Sequence, residues 1–334
     1  MAANPRQRQT SAQRRVRTTL IVLFAGLLLT ANPGAHARSK AQEEHCSLAV
    51  VSRLLDGGSR VCDNDAVKRL AAKGQAFEQN QLGIASILVV GPDFSPKEAL
   101  AWFQKAAQRG YAPAQVNLAV LYANGWGTPV NYGVALQWLH AAADQHFARA
   151  YYNLGVLYFD GQGVKQDYAE ALRWFRLGAD AGDTSAQTNL GYLYDLGLGC
   201  KRDLPAAVNW YRKAAEAGNP LAENNLADLY LRGEGVSQDD ATAFSWFQKA
   251  AAQGQTGARI KLGFMYASGR GTTKNSETAY TWVSAATMAG DPRGNELAHI
   301  LEKTLTPSQI AHARDRAIGL QAIQRELSAR SFAQ

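Results

Sequence analysis

Six of the seven tryptophans stand at positions 102, 138, 174, 210, 246 and 282, each 36 residues after the one before. With Trp at 7 of 334 residues, a frequency of about 0.02, five successive hits by chance have a probability on the order of 10⁻⁹. A chain with this beat is a repeat array. Each unit is too small to bury its own apolar face and does so by stacking on its neighbours.

Other positions keep the same phase. Ala99, Ala135, Ala171, Ala207, Ala243 and Ala279 lie three residues before each Trp, and Ala106, Ala142, Gly178, Ala214, Ala250 and Ala286 lie four after it. Phe103, Leu139, Phe175, Tyr211, Phe247 or Val283 follows Trp directly. These spacings trace one stripe of a helix, the B helix, and predict that the tryptophans belong to its core. A second helix, the A helix, lies between successive tryptophans. Ala114, Leu118, Leu121 and Tyr122 recur as Ala150, Leu154, Leu157 and Tyr158, and then as Ala186, Leu190, Leu193 and Tyr194. Ala222, Leu226, Leu229 and Tyr230 continue the series, and Ala258, Leu262, Met265 and Tyr266 close it. Ala119, Gly155, Gly191, Ala227 and Gly263 beside the Leu suit close helix approach.

The punctuation fits. Ser95, Asn131, Asp167, Asp203, Asp239 and Asn275, seven residues before each Trp, are residue types that accept hydrogen bonds from the free N–H groups of a helix start. Paired glycines (Gly125/Gly127, Gly161/Gly163, Gly197/Gly199, Gly233/Gly235, Gly269/Gly271) supply the left-handed backbone that ends helices. They follow helix C-termini, so a phosphate cradle, which needs an N-terminus, is a poor reading.

Leu-Gly-x-Leu-Tyr, Gly-x-Gly-Val, Asp, Ala and Trp-Phe/Tyr-x-x-Ala-Ala-x-x-Gly together resemble the pattern of the Sel-one-like repeat family, relatives of tetratricopeptide repeats. Residues 190–218 carry nearly all of it (Leu190, Gly191, Tyr194, Gly197, Gly199, Asp203, Ala207, Trp210, Tyr211, Ala214, Ala215 and Gly218), and the likeness runs over about residues 74–304. His146 replaces a terminal Gly and Gly178 an Ala. The first unit keeps Leu82-Gly83 but lacks the Tyr and the glycine pair. The expected fold is all-α, a right-handed α/α solenoid of about six 36-residue helix-turn-helix repeats with terminal caps. The domains would be a signal peptide (1–37), an N-terminal cap (38–73), the repeats (74–290) and a C-terminal helical cap (291–334). In that last cap Thr306-Pro307-Ser308-Gln309 reads as a capping box with Pro at the first helical position.

The formal charge of +7 belongs mostly to the first segment. Arg6, Arg8, Arg14, Arg15 and Arg17 have no acidic neighbour before residue 38; without them Lys+Arg falls from 35 to 30 against 28 acidic residues, leaving +2. A near-neutral body gives no electrostatic argument for nucleic acid. Those arginines precede an apolar run, Leu20–Leu29, and then Ala35-His36-Ala37. This is the plan of a secretory signal cleaved near Ala37, giving a periplasmic or secreted protein. The run is shorter than the roughly 20 residues of a spanning helix, so no stable membrane insertion is expected after cleavage. An uncleaved anchor is the alternative. After export a Cys46–Cys62 disulfide competes with two buried thiols. Cys200 reads as a packed small hydrophobe.

No constellation for chemistry appears. His45, His140, His146, His299 and His312 form neither H-E-x-x-H nor a Cys/His metal cluster, and no nucleophile elbow is present. No cofactor or metal is therefore expected. The family resemblance implies a non-catalytic scaffold or adaptor that holds a protein or peptide in a concave groove, in bacterial envelope assembly or periplasmic signalling. It also implies an alternative: some exported cysteine-rich members are penicillin-binding or weakly β-lactamase-like, but their paired cysteines are missing here.

In related repeats the A helices line the groove. Non-consensus positions then carry specificity: Val120, Val156, Tyr192, Asp228 and Phe264 two after Leu, and Val116, Tyr152, Thr188, Asn224 and Ile260 two before it. Phe159, Asp160, Asp195 and Arg232 stand just past the Tyr. The candidate groove residues are Tyr152, Phe159, Tyr192, Asp195, Asp228, Arg232 and Phe264, with Tyr152, Tyr192 and Phe264 as the leading anchors. The alternative is that these residues only fill the inner curve.

Overall fold

The computed structural model describes residues 64–88 and 95–331. The leader, its cleavage site, Cys46 and Cys62 lie outside the described residues. All regular structure among the described residues is helical. A short α1 (Asn64–Ala72) precedes twelve helices of twelve or thirteen residues: α2 (Ala76–Leu88), α3 (Pro96–Gln108), α4 (Ala112–Asn124), α5 (Tyr132–Ala143), α6 (Ala148–Asp160), α7 (Tyr168–Asp180), α8 (Thr184–Leu196), α9 (Leu204–Glu216), α10 (Pro220–Arg232), α11 (Asp240–Ala252), α12 (Thr256–Ser268) and α13 (Ser276–Met288). A 3₁₀ turn (Pro292–Gly294), α14 (Asn295–Glu302) and α15 (Pro307–Ser331) follow. Even-numbered helices from α2 to α12 are the A helices, and odd-numbered ones from α3 to α13 the B helices. The chain forms two compact units that meet in sequence between Gln145 and His146. Within each unit every A helix packs on the B helix after it, and α4, α8, α10 and α12 also pack on the B helix before it, as in a solenoid.

Local chemistry sets these boundaries. Each predicted N-cap side chain accepts a backbone N–H of the first turn: Ser95 from Glu98, Asn131 from Val134, Asp167 from Ala169 and Glu170, Asp203 from Ala206, Asp239 from Ala241 and Thr242, and Asn275 from Thr278. Thr306 and Gln309 close the expected capping box, with Gln309 N–H donating to Thr306 Oγ1 and Thr306 N–H to Gln309 Oε1. The two glycines of each pair have different tasks. Gly197 (φ 68°) ends α8 in the left-handed conformation. Gly199 (φ 71°) sits against the start of the preceding B helix, where an added Cβ would lie 2.4 Å from the Tyr168 carbonyl.

The core departs from expectation in one respect. On the B helices the fully buried side chains are the Ala three before Trp, the residue after Trp and the small residues behind it: Ala243, Phe247, Ala250 and Ala251 in α11, for example. The tryptophans are only half-buried. One position off the inward stripe, each indole lies on the shoulder of the helix. Trp246 packs partly on two successive cores while Lys249 covers its outer face, the ammonium 3.9 Å from the ring. Lys105 and Lys213 do the same for Trp102 and Trp210 at 4.4 and 4.2 Å.

The small residue of each A helix seats the ring that follows Trp. A Cβ on Gly155 would come within 2.5 Å of the Phe175 ring, and one on Gly191 within 2.8 Å of Tyr211. Gly178, the exception to the Ala series, also has a steric cause. Its Cβ would lie 2.8 Å from Ala186 Cβ and 3.4 Å from the Cβ of bulky Tyr151. His146, in place of the terminal Gly, keeps the positive φ (58°) and hydrogen-bonds Tyr151 Oη through Nδ1 at 3.0 Å.

Candidate protein-binding face

In the unit from His146 to Leu327 the A helices α8, α10 and α12 are each flanked by a B helix before and after, which leaves a narrow outward ridge, and α6 packs on α7 and α8. This decides which candidates reach solvent. Tyr152 does not. It is 3% exposed and packs on Phe175 with ring centroids 6.0 Å apart, and burial pushes its hydroxyl up to about 12. Thr188 and Ile260, at the same repeat position, are buried too. Positions two before Leu, apart from half-buried Asn224, therefore point into the stack between helices, and Tyr152 is a core residue rather than a leading anchor.

The other six candidates lie outward, and all but Phe264 are already joined to a neighbour. Phe159 meets Tyr168 edge-on at 5.3 Å and Tyr192 at a tilt at 6.3 Å. Asp195, at the end of α8, faces Arg202 of the next turn, with 3.6 Å from Nη2 to Oδ1. Arg202 also donates through Nε to the Asp195 carbonyl at 2.7 Å. The same guanidinium reaches Glu234 at 3.2 Å, and Glu234 pairs with Arg232 at 3.2 Å. Arg232 Nε donates to the Asp228 carbonyl at 3.2 Å, and Lys261 Nζ lies 2.8 Å from Asp228 Oδ1. Six charges from three repeats thus form one chain of contacts. Burial is the largest influence on the Asp195 carboxyl and raises it above the usual carboxylate range, while Arg232 and Arg202 act in the opposite sense. Phe264 stands 52% exposed on α12, and Leu196 is 50% exposed at the end of α8.

Arg202, Glu234, Lys261 and Leu196 were absent from the sequence candidates. A signal existed for Arg202. It occupies the residue before the N-cap, where Gln166 makes the equivalent reach to the Phe159 carbonyl at 2.7 Å. The Cys200 thiol is half-buried and raised by that burial, which suits a packed side chain better than a nucleophile. Among the described residues no group of three or more His, Cys, Asp or Glu gathers to hold a metal, and no helix is long and apolar enough to cross a membrane.

A family model for the Sel1 repeat matches residues 88–111, 112–147, 148–183, 184–219, 220–255 and 257–291. The chain belongs to the Sel1 repeat family. Each complete match begins at or beside an A helix, and the truncated first match falls on the unit that lacks the Tyr and the glycine pair. Among solved structures, c5321, described as a protective antigen of uropathogenic Escherichia coli strains displaying an SLR fold, is 34% identical with a TM-score of 0.64. The likeness covers 80% of this chain and 57% of that one, so the chain spans little more than half the antigen's length. A Sel1 repeat protein from Oxalobacter formigenes is also 34% identical, with a TM-score of 0.58, covering 65% of this chain and 86% of that one. No curated protein matches the sequence significantly. Sel1 repeats are scaffolds that commonly mediate protein–protein interaction, and the family is generally non-enzymatic.

Proposed function

We propose that this Sel1 repeat protein is exported to the bacterial envelope and holds a protein or peptide partner there. The contact face would be the outward ridge of α6, α8, α10 and α12. The observation that carries the reading is the split between two sets of positions on those helices. Inward positions repeat as Ala, Leu, a small residue and Leu or Met. The outward position two after Leu changes from Val156 to Tyr192, Asp228 and Phe264. Packing alone does not call for a half-exposed Phe264 and Leu196 beside a pre-joined set of charges. Aromatic and Arg side chains whose positions are already held are what interface hot spots use, because little entropy is lost on binding. Export rests on the arginine-rich start and Ala35-His36-Ala37, and a relative described as a protective antigen fits a protein outside the cytoplasm.

Two measurements test this. N-terminal sequencing of the protein recovered from the periplasm is expected to begin at Arg38; Met1 or Ala2 would defeat the export reading. For the face, the full chain is crosslinked in cells and its partner identified. The Tyr192→Ala/Phe264→Ala double variant is then compared with the wild type. Capture is expected to weaken by more than about 2 kcal/mol, the hot-spot scale, with the melting temperature almost unmoved. Unchanged capture would remove the face.

A further inference from the structure

Sibling repeats show how the joint between a B helix and the next A helix is closed. Gln115 donates through Nε2 to the Ala107 carbonyl at 3.3 Å. Its Oε1 accepts from Gln145 Nε2, 30 residues on, at 2.8 Å. In the other unit Glu223 Oε2 accepts from Gln253 Nε2, again 30 residues on, at 2.9 Å. The first joint repeats the opening half of the pattern, Gln79 Nε2 donating to the Ala71 carbonyl at 3.0 Å. It leaves the other half open. Gln79 is 3% exposed, and its buried Oε1 has no hydrogen-bond partner among the described residues.

The residue at the donor position of this joint is Arg109. Its guanidinium lies over Gly74 (φ 85°) instead, so close that an added Cβ there would come within 2.3 Å of Nη2. Gln79, Gly74, Trp102, Lys105 and Arg109 consequently line a cleft of about 620 Å³ between α1, α2 and α3. It has a buried acceptor at its back, an indole on one wall and two cations, and no described residue lining it is acidic. The Lys105 ammonium sits 4.4 Å from the Trp102 ring.

We propose that this cleft is a binding site for an acidic peptide segment. Gln79 Oε1 can only accept, so the ligand must bring a donor; the siblings use an amide N–H for this, and a peptide backbone N–H is the same group. Lys105 and Arg109 can only donate, so the ligand must also bring an anion, which a Glu or Asp side chain supplies. A free phosphate or acetate satisfies the cations and leaves the buried acceptor unpaired. The side-chain methylenes of the peptide lie against Trp102.

The test is calorimetric titration of the full chain with acetyl-Glu-Glu-amide, with sodium acetate and sodium phosphate as comparators. Saturable peptide binding is expected, with either simple anion at least about tenfold weaker, since neither pairs the buried acceptor. Arg109→Gln supplies the donor that Gln145 and Gln253 provide elsewhere. It is expected to close the joint, raise the melting temperature and abolish peptide binding. Gln79→Leu is expected to weaken binding while leaving phosphate binding unchanged. No binding by the wild type would overturn the proposal. So would peptide and acetate of equal strength, or an Arg109→Gln protein that is stabilised yet binds the peptide as before; this last result survives even if Gln79→Leu fails to fold.

Discussion

The residue after each tryptophan, not the tryptophan, should set the stability of a repeat, and α11 offers the cleanest comparison. Phe247 is completely buried against Ala227 of α10 and against Leu262 and Met265 of α12. Truncation to Ala removes the ring from a site whose walls are helix backbones held by neighbours on both sides, so collapse is limited. The cost should reach about 3–5 kcal/mol. Trp246, next door, keeps part of its indole in water. Trp246→Ala forfeits apolar contact on one shoulder and a cation–π contact with Lys249 worth about 0.5–1 kcal/mol at an exposed site, roughly 2 kcal/mol in all. Each repeat is stabilised mainly by its nearest neighbours, so the damage from Phe247→Ala should spread into the helices on either side. Urea unfolding followed by helical circular dichroism measures both variants. The Phe247→Ala midpoint is expected to fall clearly below that of Trp246→Ala. A tryptophan variant as destabilised as the phenylalanine variant, or more so, would mean that the helical phase assigned to the B helices is wrong.

Two further outcomes follow from local geometry. Gly199→Ala should cost more than the roughly 1–2 kcal/mol of a left-handed backbone alone, because the new Cβ meets the Tyr168 carbonyl, whereas Gly218→Ala, with φ 82° but open space around it, should cost only the backbone strain; matched melting curves decide. The Asp239 carboxyl is held below its ordinary value, first by the Thr242 hydroxyl and then by backbone N–H groups. Its contribution to stability is therefore present above the unfolded carboxylate pKa and lost as pH falls through the lower folded one. Carboxyl NMR titration should find Asp239 below the usual Asp range of about 3.9, and Thr242→Val should bring it back up; no movement would sever the link.

Caps, glycine pairs and repeat phase could be read from the sequence because each depends on a few adjacent residues. Asp203 caps α9 through an N–H three residues away, and Gly197 ends α8 through its own φ. The tryptophans misled for the same reason. A spacing pattern places Trp210 and Tyr211 on one side of a helix but does not say which points to the axis of the stack, and the seat at Gly191 decides that from another helix. The charge chain through Asp195, Arg202, Glu234, Arg232, Asp228 and Lys261 depends on turns from successive repeats meeting at side-chain distance, which is set only by stacking. The open joint at Gln79 left a trace that could have been used. Gln79, Gln115 and Gln187 share one repeat phase, with Tyr151 standing between the last two, and each caps a carbonyl of the helix before.

Tyr152 marks the difference between variation and availability. It differs from its siblings Val116, Thr188, Asn224 and Ile260 as freely as Tyr192 differs from Asp228 and Phe264, yet it is buried. A helix flanked on both sides by others can vary in its joints as long as each neighbour compensates. Tyr151 and Gly178 compensate in this way, the larger side chain standing beside the missing methyl. Chemical variety along an A helix is therefore evidence of a binding surface only at positions that both flanking B helices leave uncovered. In α8, α10 and α12 those are the positions two after Leu and the ends of the helices. Exchanging Tyr192, Asp228 or Phe264 changes what the ridge offers a partner while the buried Ala, Leu and small positions of the stack stay as they are, so recognition can change there while the core does not.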